Sequence, residues 1–166
     1  MSGTATVSKR ELVAIAVGGV CAGAFDIIQV MVFYALKGVE PIRILQSVAS
    51  GLLGKASFAG GLPTAGLGLG LHFGMTLIMA AVYVLAARRL EVLIRRPRTM
   101  GSLYGLGLYV VMTYVVVPLS LAGSGAFDWL VFLDGIFAHV LAVGMPIALA
   151  ARWRLRTPAT DARSGR

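Results

Sequence analysis

Residues 101–121 read GSLYGLGLYVVMTYVVVPLSL and contain no charged side chain. A helix rises about 1.5 Å per residue, so a helix of this length spans the roughly 30 Å hydrocarbon core of a bilayer. Three further stretches, 12–36, 65–87 and 130–151, have similar length and apolar character. The sequence therefore predicts an all-α integral membrane protein built as a four-helix bundle.

The composition favours a lipid environment over an aqueous one. Of the 166 residues, 58% are hydrophobic and 13% are charged, whereas soluble domains average about 25% charged residues. A net charge of +8 would suit nucleic-acid binding only if the basic residues shared a soluble face, and here they lie between and beyond the apolar stretches. We therefore expect the lipid bilayer as partner and no nucleic acid; a homo-oligomer is an open option.

The distribution of basic residues predicts the topology. Twelve of the fifteen Lys and Arg residues lie in the N-terminal segment, the 88–99 loop and the C-terminal tail, and the other three are Lys37, Arg43 and Lys55. Because cytoplasmic loops carry the excess of basic residues, both termini are predicted to be cytoplasmic. Residues 1–11 then form a cytoplasmic segment, 12–151 a single transmembrane domain and 152–166 a basic cytoplasmic tail, expected to be disordered.

The segment 41–61, between the first two spans, has a different pattern. Pro41 suits the first turn of a helix. Polar or small residues recur at helical spacing along one stripe: Arg43, Gln46, Ser47, Ser50, Gly54 and Ser57. We expect an additional amphipathic helix, interfacial or re-entrant, rather than a fifth span. A fifth span would place the N-terminus and the basic 88–99 loop on opposite sides.

Small residues and prolines indicate how the spans pack. Glycines at four-residue spacing, which let helix backbones approach closely in membranes, occur in three of the spans as Gly19–Gly23, Gly66–Gly70–Gly74 and Gly101–Gly105. Pro118 and Pro146 are predicted to kink the third and fourth spans.

Four ionisable residues fall inside the spans, where such residues are costly and often mark function. They are Asp26, His72, Asp134 and His139. Counted along the helices, Asp26, His72 and His139 lie about 10–15 Å below the outer edge, so we expect them to converge. Asp134 lies only ~6 Å deep and about 140° around the helix from His139, which makes it a poorer partner.

Two further groups complete the predicted site. Gln29 lies one turn from Asp26 and would point the same way. Arg43 and Gln46, in the segment above, would act as a lid over a site that opens toward the outer side.

Three functions remain open for these residues. The first is a site for a proton, a cation or a small solute, in which a histidine changes charge and Asp26 is its counter-ion. The second is binding of haem b or a divalent metal by His72 and His139; no cofactor is the default expectation. The third is purely structural, with Asp–His hydrogen bonds holding helices together. Motifs of hydrolases and nucleotide sites are absent from the sequence, so a non-enzyme is favoured and no catalytic residue is assigned.

Four short stretches carry a resemblance to known proteins: GVEPIRILQSVASG at 38–51, LHF at 71–73, VVPLS at 116–120 and FAH at 137–139. Together they resemble a group of small, uncharacterised four-span inner-membrane proteins of bacteria, and the last two are loosely similar to the YagU-like family. The resemblance covers about residues 12–150. It implies four spans and a bacterial plasma-membrane location, and it places His72, Pro118 and His139 in the shared pattern, but it supplies no reaction or ligand.

Overall fold

The structure, a computed structural model, describes residues 6–123, 125 and 127–156, and every regular element in this part of the chain is a helix. Four helices are long and apolar enough to cross a bilayer, so the all-α fold with four candidate spans is confirmed. In chain order the helices are α1 (Lys9–Ala35), α2 (Pro41–Leu53), α3 (Gly61–Ala87), α4 (Val92–Arg95), α5 (Pro97–Leu119) and α6 (Trp129–Leu155). The C-terminal tail was predicted to be disordered, and from residue 157 onward it lies outside the described residues.

The start of α1 is fixed both locally and to α3. Ser8 and Glu11 form a capping box, in which each side chain accepts a hydrogen bond from the other's backbone N–H. Glu11 also accepts two hydrogen bonds from Arg88, at 2.6 Å from Nε and 2.9 Å from Nη2. One carboxylate therefore caps α1 and ties it to the end of α3. We call this side of the bundle, with residues 88–97 and the end of α6, the basic end.

The bundle has a definite order of neighbours. Helix α1 packs between α3 and α6, and α5 packs mainly on α6. The core nearest the basic end is made of small residues around Tyr83, which is 1% exposed and donates a hydrogen bond to the Leu93 carbonyl oxygen at 2.9 Å. A second tyrosine, Tyr104 of α5, donates to the Met79 carbonyl oxygen of α3 at 2.7 Å.

Two of the three glycine motifs lie at helix crossings. Gly23 of α1 faces the Phe73 ring of α3, where an added Cβ would lie 2.7 Å from it. Gly105 of α5 packs on the backbone of α6. The prediction for Gly66, Gly70 and Gly74 is wrong in the described part of the chain, since an added Cβ would meet no atom within 4 Å at any of them. Helix α2 packs instead on the intervening Gly68, against the Leu45 carbonyl.

Each of the last two spans widens just before a proline. The widened π-helical segments are Met112–Val116, before Pro118, and Ala138–Gly144, before Pro146. Proline lacks an N–H, and its ring clashes with the carbonyl four residues earlier, so the preceding turns open to accommodate it. His139 lies in the second segment.

Helix α2 lies against α3 and reaches the end of α5. It begins with Pro41 at its first turn, and the Leu121 N–H donates to the Gly51 carbonyl oxygen at 3.0 Å. The predicted polar stripe is divided between two faces. Gln46, Ser50 and Ser57 are buried, whereas Arg43 and Ser47 are exposed.

Candidate functional site

Asp26 of α1 and His72 of α3 face each other inside the bundle. The His72 Nδ1 atom lies 3.9 Å from Asp26 Oδ2, and their side chains are only 10% and 15% exposed. This separation is too long for a hydrogen bond and lies just inside the usual 4 Å limit for an ion pair. The predicted convergence of these two residues is therefore present in the geometry, without the direct hydrogen bond that we expected.

The backbone of α1 fixes the protonated nitrogen of His72. The Nε2 atom lies 2.9 Å from the carbonyl oxygen of Gly23, and a carbonyl can only accept a hydrogen bond, so Nε2 must carry a hydrogen and donate it. In the neutral ring the lone pair then lies on Nδ1, the atom that faces Asp26. In its neutral form the His72 ring therefore turns a basic nitrogen atom, Nδ1, toward the Asp26 carboxylate.

His139 of α6 is held in a comparable way by its own helix. Its Nδ1 lies 2.9 Å from the Gly135 carbonyl oxygen, so Nδ1 donates and Nε2 carries the lone pair of the neutral ring. The ring packs edge-to-face on Tyr109 of α5, with 5.6 Å between centroids, and it is close enough to interact electrostatically with Asp26. Residues from three helices, α1, α3 and α6, thus contribute to one cluster.

A second polar pair lies one turn along α1 from Asp26. The Gln29 side-chain amide donates a hydrogen bond to Asp134 Oδ1 and so joins α1 to α6. Asp134 is half-buried beside Gln29 and has no hydrogen bond to His139. The structure therefore places Asp134 in the polar interior, bonded to Gln29, a residue expected to point the same way as Asp26.

Two oxygen atoms of this interior have no hydrogen-bond donor. Asp26 Oδ1 and Gln29 Oε1 are both buried and unpaired among the described residues. With the lone pair of His72 Nδ1, the polar interior contains an excess of acceptors over donors. In a low-dielectric environment each unpaired acceptor costs free energy, and this imbalance is the main chemical feature of the site.

The residues proposed as a lid contact other groups. The Arg43 guanidinium lies over the Phe58 ring, 5.7 Å from its centroid. Gln46 donates to the Gly61 carbonyl oxygen at 3.2 Å and so fixes the start of α3. Neither side chain has a hydrogen bond or ion pair to Asp26, His72 or His139 in the part of the chain that the structure describes.

Among the described residues no group of three or more His, Cys, Asp and Glu side chains could hold a metal ion. Each histidine also has one ring nitrogen engaged with a backbone carbonyl, which leaves a single nitrogen per ring for any ligand.

Tyr109 is the site residue that the sequence analysis missed. It is 8% exposed and contacts both Gly135 and His139. A signal was available, because Tyr109 lies one turn after Gly105 and therefore on the packed face of α5.

The chain was compared with models of protein families, with curated proteins and with solved structures, and no match was found in any of the three. The likeness to the YagU-like family therefore stays an expectation from the sequence.

Proposed function

We propose that this protein is a multi-pass protein of the bacterial inner membrane that binds a proton reversibly at Asp26, His72 and His139. In this proposal the proton is taken up by His72 Nδ1, and Asp26 is its counter-ion. The observation that carries the proposal is the excess of acceptors, since Asp26 Oδ1 and Gln29 Oε1 have no donor and the lone pair of His72 Nδ1 faces Asp26.

A proton corrects this imbalance directly. Protonated Nδ1 becomes a donor opposite Asp26 Oδ2, and a closure of about one ångström from the present 3.9 Å makes a charge-assisted hydrogen bond, the strong kind. Protonation also gives the buried carboxylate an adjacent cation, without which an ionised group in a bilayer is costly. A larger solute has no such specific support, because the unpaired buried atoms of Asp26 and Gln29 are both acceptors and neither is a donor.

The proposed orientation places the basic end in the cytoplasm. Arginines concentrate at that end, as the positive-inside rule requires. Exposed tryptophans lie near both ends of α6, Trp129 and Trp153, about 36 Å apart at the helical rise, which suits the two interfaces of one bilayer. Asp26, His72 and His139 then lie in the periplasmic half.

Helix α2 fits the periplasmic interface in this orientation. Its exposed residues include the apolar Leu52 and Leu53 and the basic Arg43, a mixture suited to the headgroup region. It covers the periplasmic end of α3, where Gln46 is bonded to the Gly61 carbonyl oxygen. We propose that α2 limits access to the site as a fixed cover.

The test is nitrogen NMR of the histidine rings in lipid nanodiscs, because the method distinguishes singly from doubly protonated imidazole. Spectra are recorded over a range of pH. We expect acidification to add a proton to His72 Nδ1 in the wild-type chain but not in Asp26→Asn, where the counter-charge is gone. Glu40→Gln, which alters an exposed carboxylate, is the matched control and should behave as wild type.

The purely structural alternative makes the opposite prediction. If His72 keeps one ring hydrogen throughout the range in the wild-type chain, or if Asp26→Asn leaves its titration unchanged, the proton site is overturned. The Asp26–His72 pair would then serve only to hold α1 against α3.

A further inference from the structure

The basic end contains a pocket that is separate from the Asp/His cluster. It has a volume of 390 Å³ and lies between the start of α5 and the end of α6. Four arginines line it together with Thr99 and Leu149, and they are Arg95, Arg96, Arg98 and Arg152. No carboxylate is among its lining residues.

Two of the arginines are held in place by the protein. Arg152 donates from Nη1 to the carbonyl oxygens of Ile94 and Arg95, at 2.9 and 3.0 Å. Arg95 forms an ion pair with Glu91 at 2.9 Å, and its Nε atom is a buried donor without a partner. The wall of the pocket is thus built partly from guanidinium groups that the protein holds in position.

The other two arginines have no internal partner. Arg96 and Arg98 are exposed, and neither side chain makes a hydrogen bond or ion pair within the described ranges. Among the described residues, Glu91 is the only carboxylate that forms an ion pair with any of the four arginines. Positive charges held this close repel each other unless an anion lies between them.

The first turn of α5 adds backbone N–H donors, which suit an anion as the arginines do. The helix begins at Pro97 with no side-chain cap, and its first helical hydrogen bond is donated by the Met100 N–H. The N–H groups of Arg98 and Thr99 therefore precede the helical ladder, at the end where the helix dipole is positive. Such helix starts bind phosphate, and here the start forms part of an arginine-lined pocket.

We propose that this pocket binds a phosphate group, supplied by the headgroup of an anionic phospholipid. Guanidinium groups match phosphate oxygens with paired N–H donors. Leu149 in the wall belongs to the apolar span α6, so a lipid could place its headgroup in the pocket and its acyl chains along α5 and α6. Basic pockets between transmembrane helices are a known type of site for such headgroups. This proposal does not depend on the proton site.

The test measures binding to the purified full chain in detergent by native mass spectrometry. The probes are short-chain phosphatidylglycerol, phosphatidylcholine of the same chain length, and inorganic phosphate. We expect phosphatidylglycerol to bind most tightly, because choline places a cation beside its own phosphate. Arg96→Gln/Arg98→Gln should weaken phosphatidylglycerol binding about tenfold or more, without disturbing the fold, since neither side chain has an internal bond.

The matched control is Arg10→Gln/Arg89→Gln, which removes the same charge from exposed positions at the same end. It should change the affinity less than twofold. Equal weakening by both double variants would mean general charge attraction and would overturn the pocket. Binding of inorganic phosphate as tightly as phosphatidylglycerol, with the same loss in Arg96→Gln/Arg98→Gln, would overturn the lipid assignment and leave a free-phosphate site.

Discussion

The carbonyl oxygen of His139 lies directly against Gly105, where α5 crosses the widened segment of α6. A Cβ added at Gly105 would overlap this oxygen and would lie 2.7 Å from the Val140 Cα atom. The backbone that carries the His139 ring is therefore positioned by the absence of a side chain on the neighbouring helix. Packing of α5 on α6 and the geometry of the polar interior are coupled at this one crossing.

Gly105→Ala should destabilise the bundle by about 1–3 kcal/mol, the usual cost of overpacking. The atoms that the new Cβ would meet, the His139 carbonyl oxygen and the Val140 Cα, belong to the backbone and cannot turn aside as a flexible side chain can. Gly107→Ala is the control, since a Cβ there meets nothing within 4 Å, and alanine is the better helix former. It should be neutral or slightly stabilising. The free energies of unfolding of both variants, measured by denaturant titration in mixed micelles, check this. Equal effects of the two substitutions would contradict the packing argument.

The spans were predictable because hydropathy and length alone require them. Their starts were less accurate, since the second span begins at Gly61 rather than at residue 65. Local signals could have corrected other helix starts: Ser8 with Glu11 is a readable capping box for α1, and Asp128 caps α6. Hydropathy does not detect such polar caps.

The site was only partly predictable. Counting depth along straight helices brought Asp26 and His72 to one level, and the structure places them 3.9 Å apart. The same counting assigned Asp134 a different direction from His139, on the assumption of a regular α-helix. In the structure Asp134 has no hydrogen bond to His139 and is bonded to Gln29 of α1 instead. That bond depends on how α1 packs on α6, which counting along a single helix does not predict.

Acid should weaken the contact between Lys37 and Asp128, which lie 3.2 Å apart. The hydrogen bond from Lys37, with those from the Leu130 and Val131 N–H groups, holds the pKa of Asp128 below its usual range. A carboxyl whose pKa is lowered on folding stabilises the fold above its unfolded pKa, about 4, and this contribution is lost as the pH falls through the folded value. Asp128→Asn should therefore lower the Tm at pH 7.

The difference in Tm between the wild-type chain and Asp128→Asn should shrink at pH 3, because this pH lies below the unfolded pKa of about 4, where the stabilising contribution begins to be lost. Thermal unfolding in detergent at the two pH values measures it. Lys55→Met, which removes an exposed lysine, is the control and should show no such convergence. A difference that stays constant with pH would rule out an ionic contribution from Asp128.

The proposed orientation predicts which side of the membrane each loop occupies. Lys55 and Thr99 are both exposed and lie toward opposite ends of the bundle. In a Cys21→Ala background, Lys55→Cys should react with a membrane-impermeant maleimide in intact cells, and Thr99→Cys should react only after permeabilisation. The reverse pattern would invert the topology and place Asp26 in the cytoplasmic half.

The hydrogen bond from Gln29 to Asp134 should be a helix-packing bond, distinct from the proton site. A double-mutant cycle with Gln29→Leu and Asp134→Leu should give a coupling free energy of about 0.6–1.7 kcal/mol, the range for hydrogen bonds between membrane helices. A cycle that pairs Asp134→Leu with Tyr114→Phe should give a coupling near zero, because the Tyr114 side chain is 61% exposed and makes no hydrogen bond in the described chain.

The double variant Gln29→Leu/Asp134→Leu also separates the two polar pairs by function. It should keep the uptake of a proton by His72 that Asp26→Asn abolishes, because Asp26 Oδ2 and not Asp134 faces His72 Nδ1. The nitrogen NMR titration of the His72 ring in nanodiscs measures both variants under the same conditions. Loss of the titration in the double variant would show that Asp134 acts with Asp26 as a counter-charge, and the site would then extend over two turns of α1.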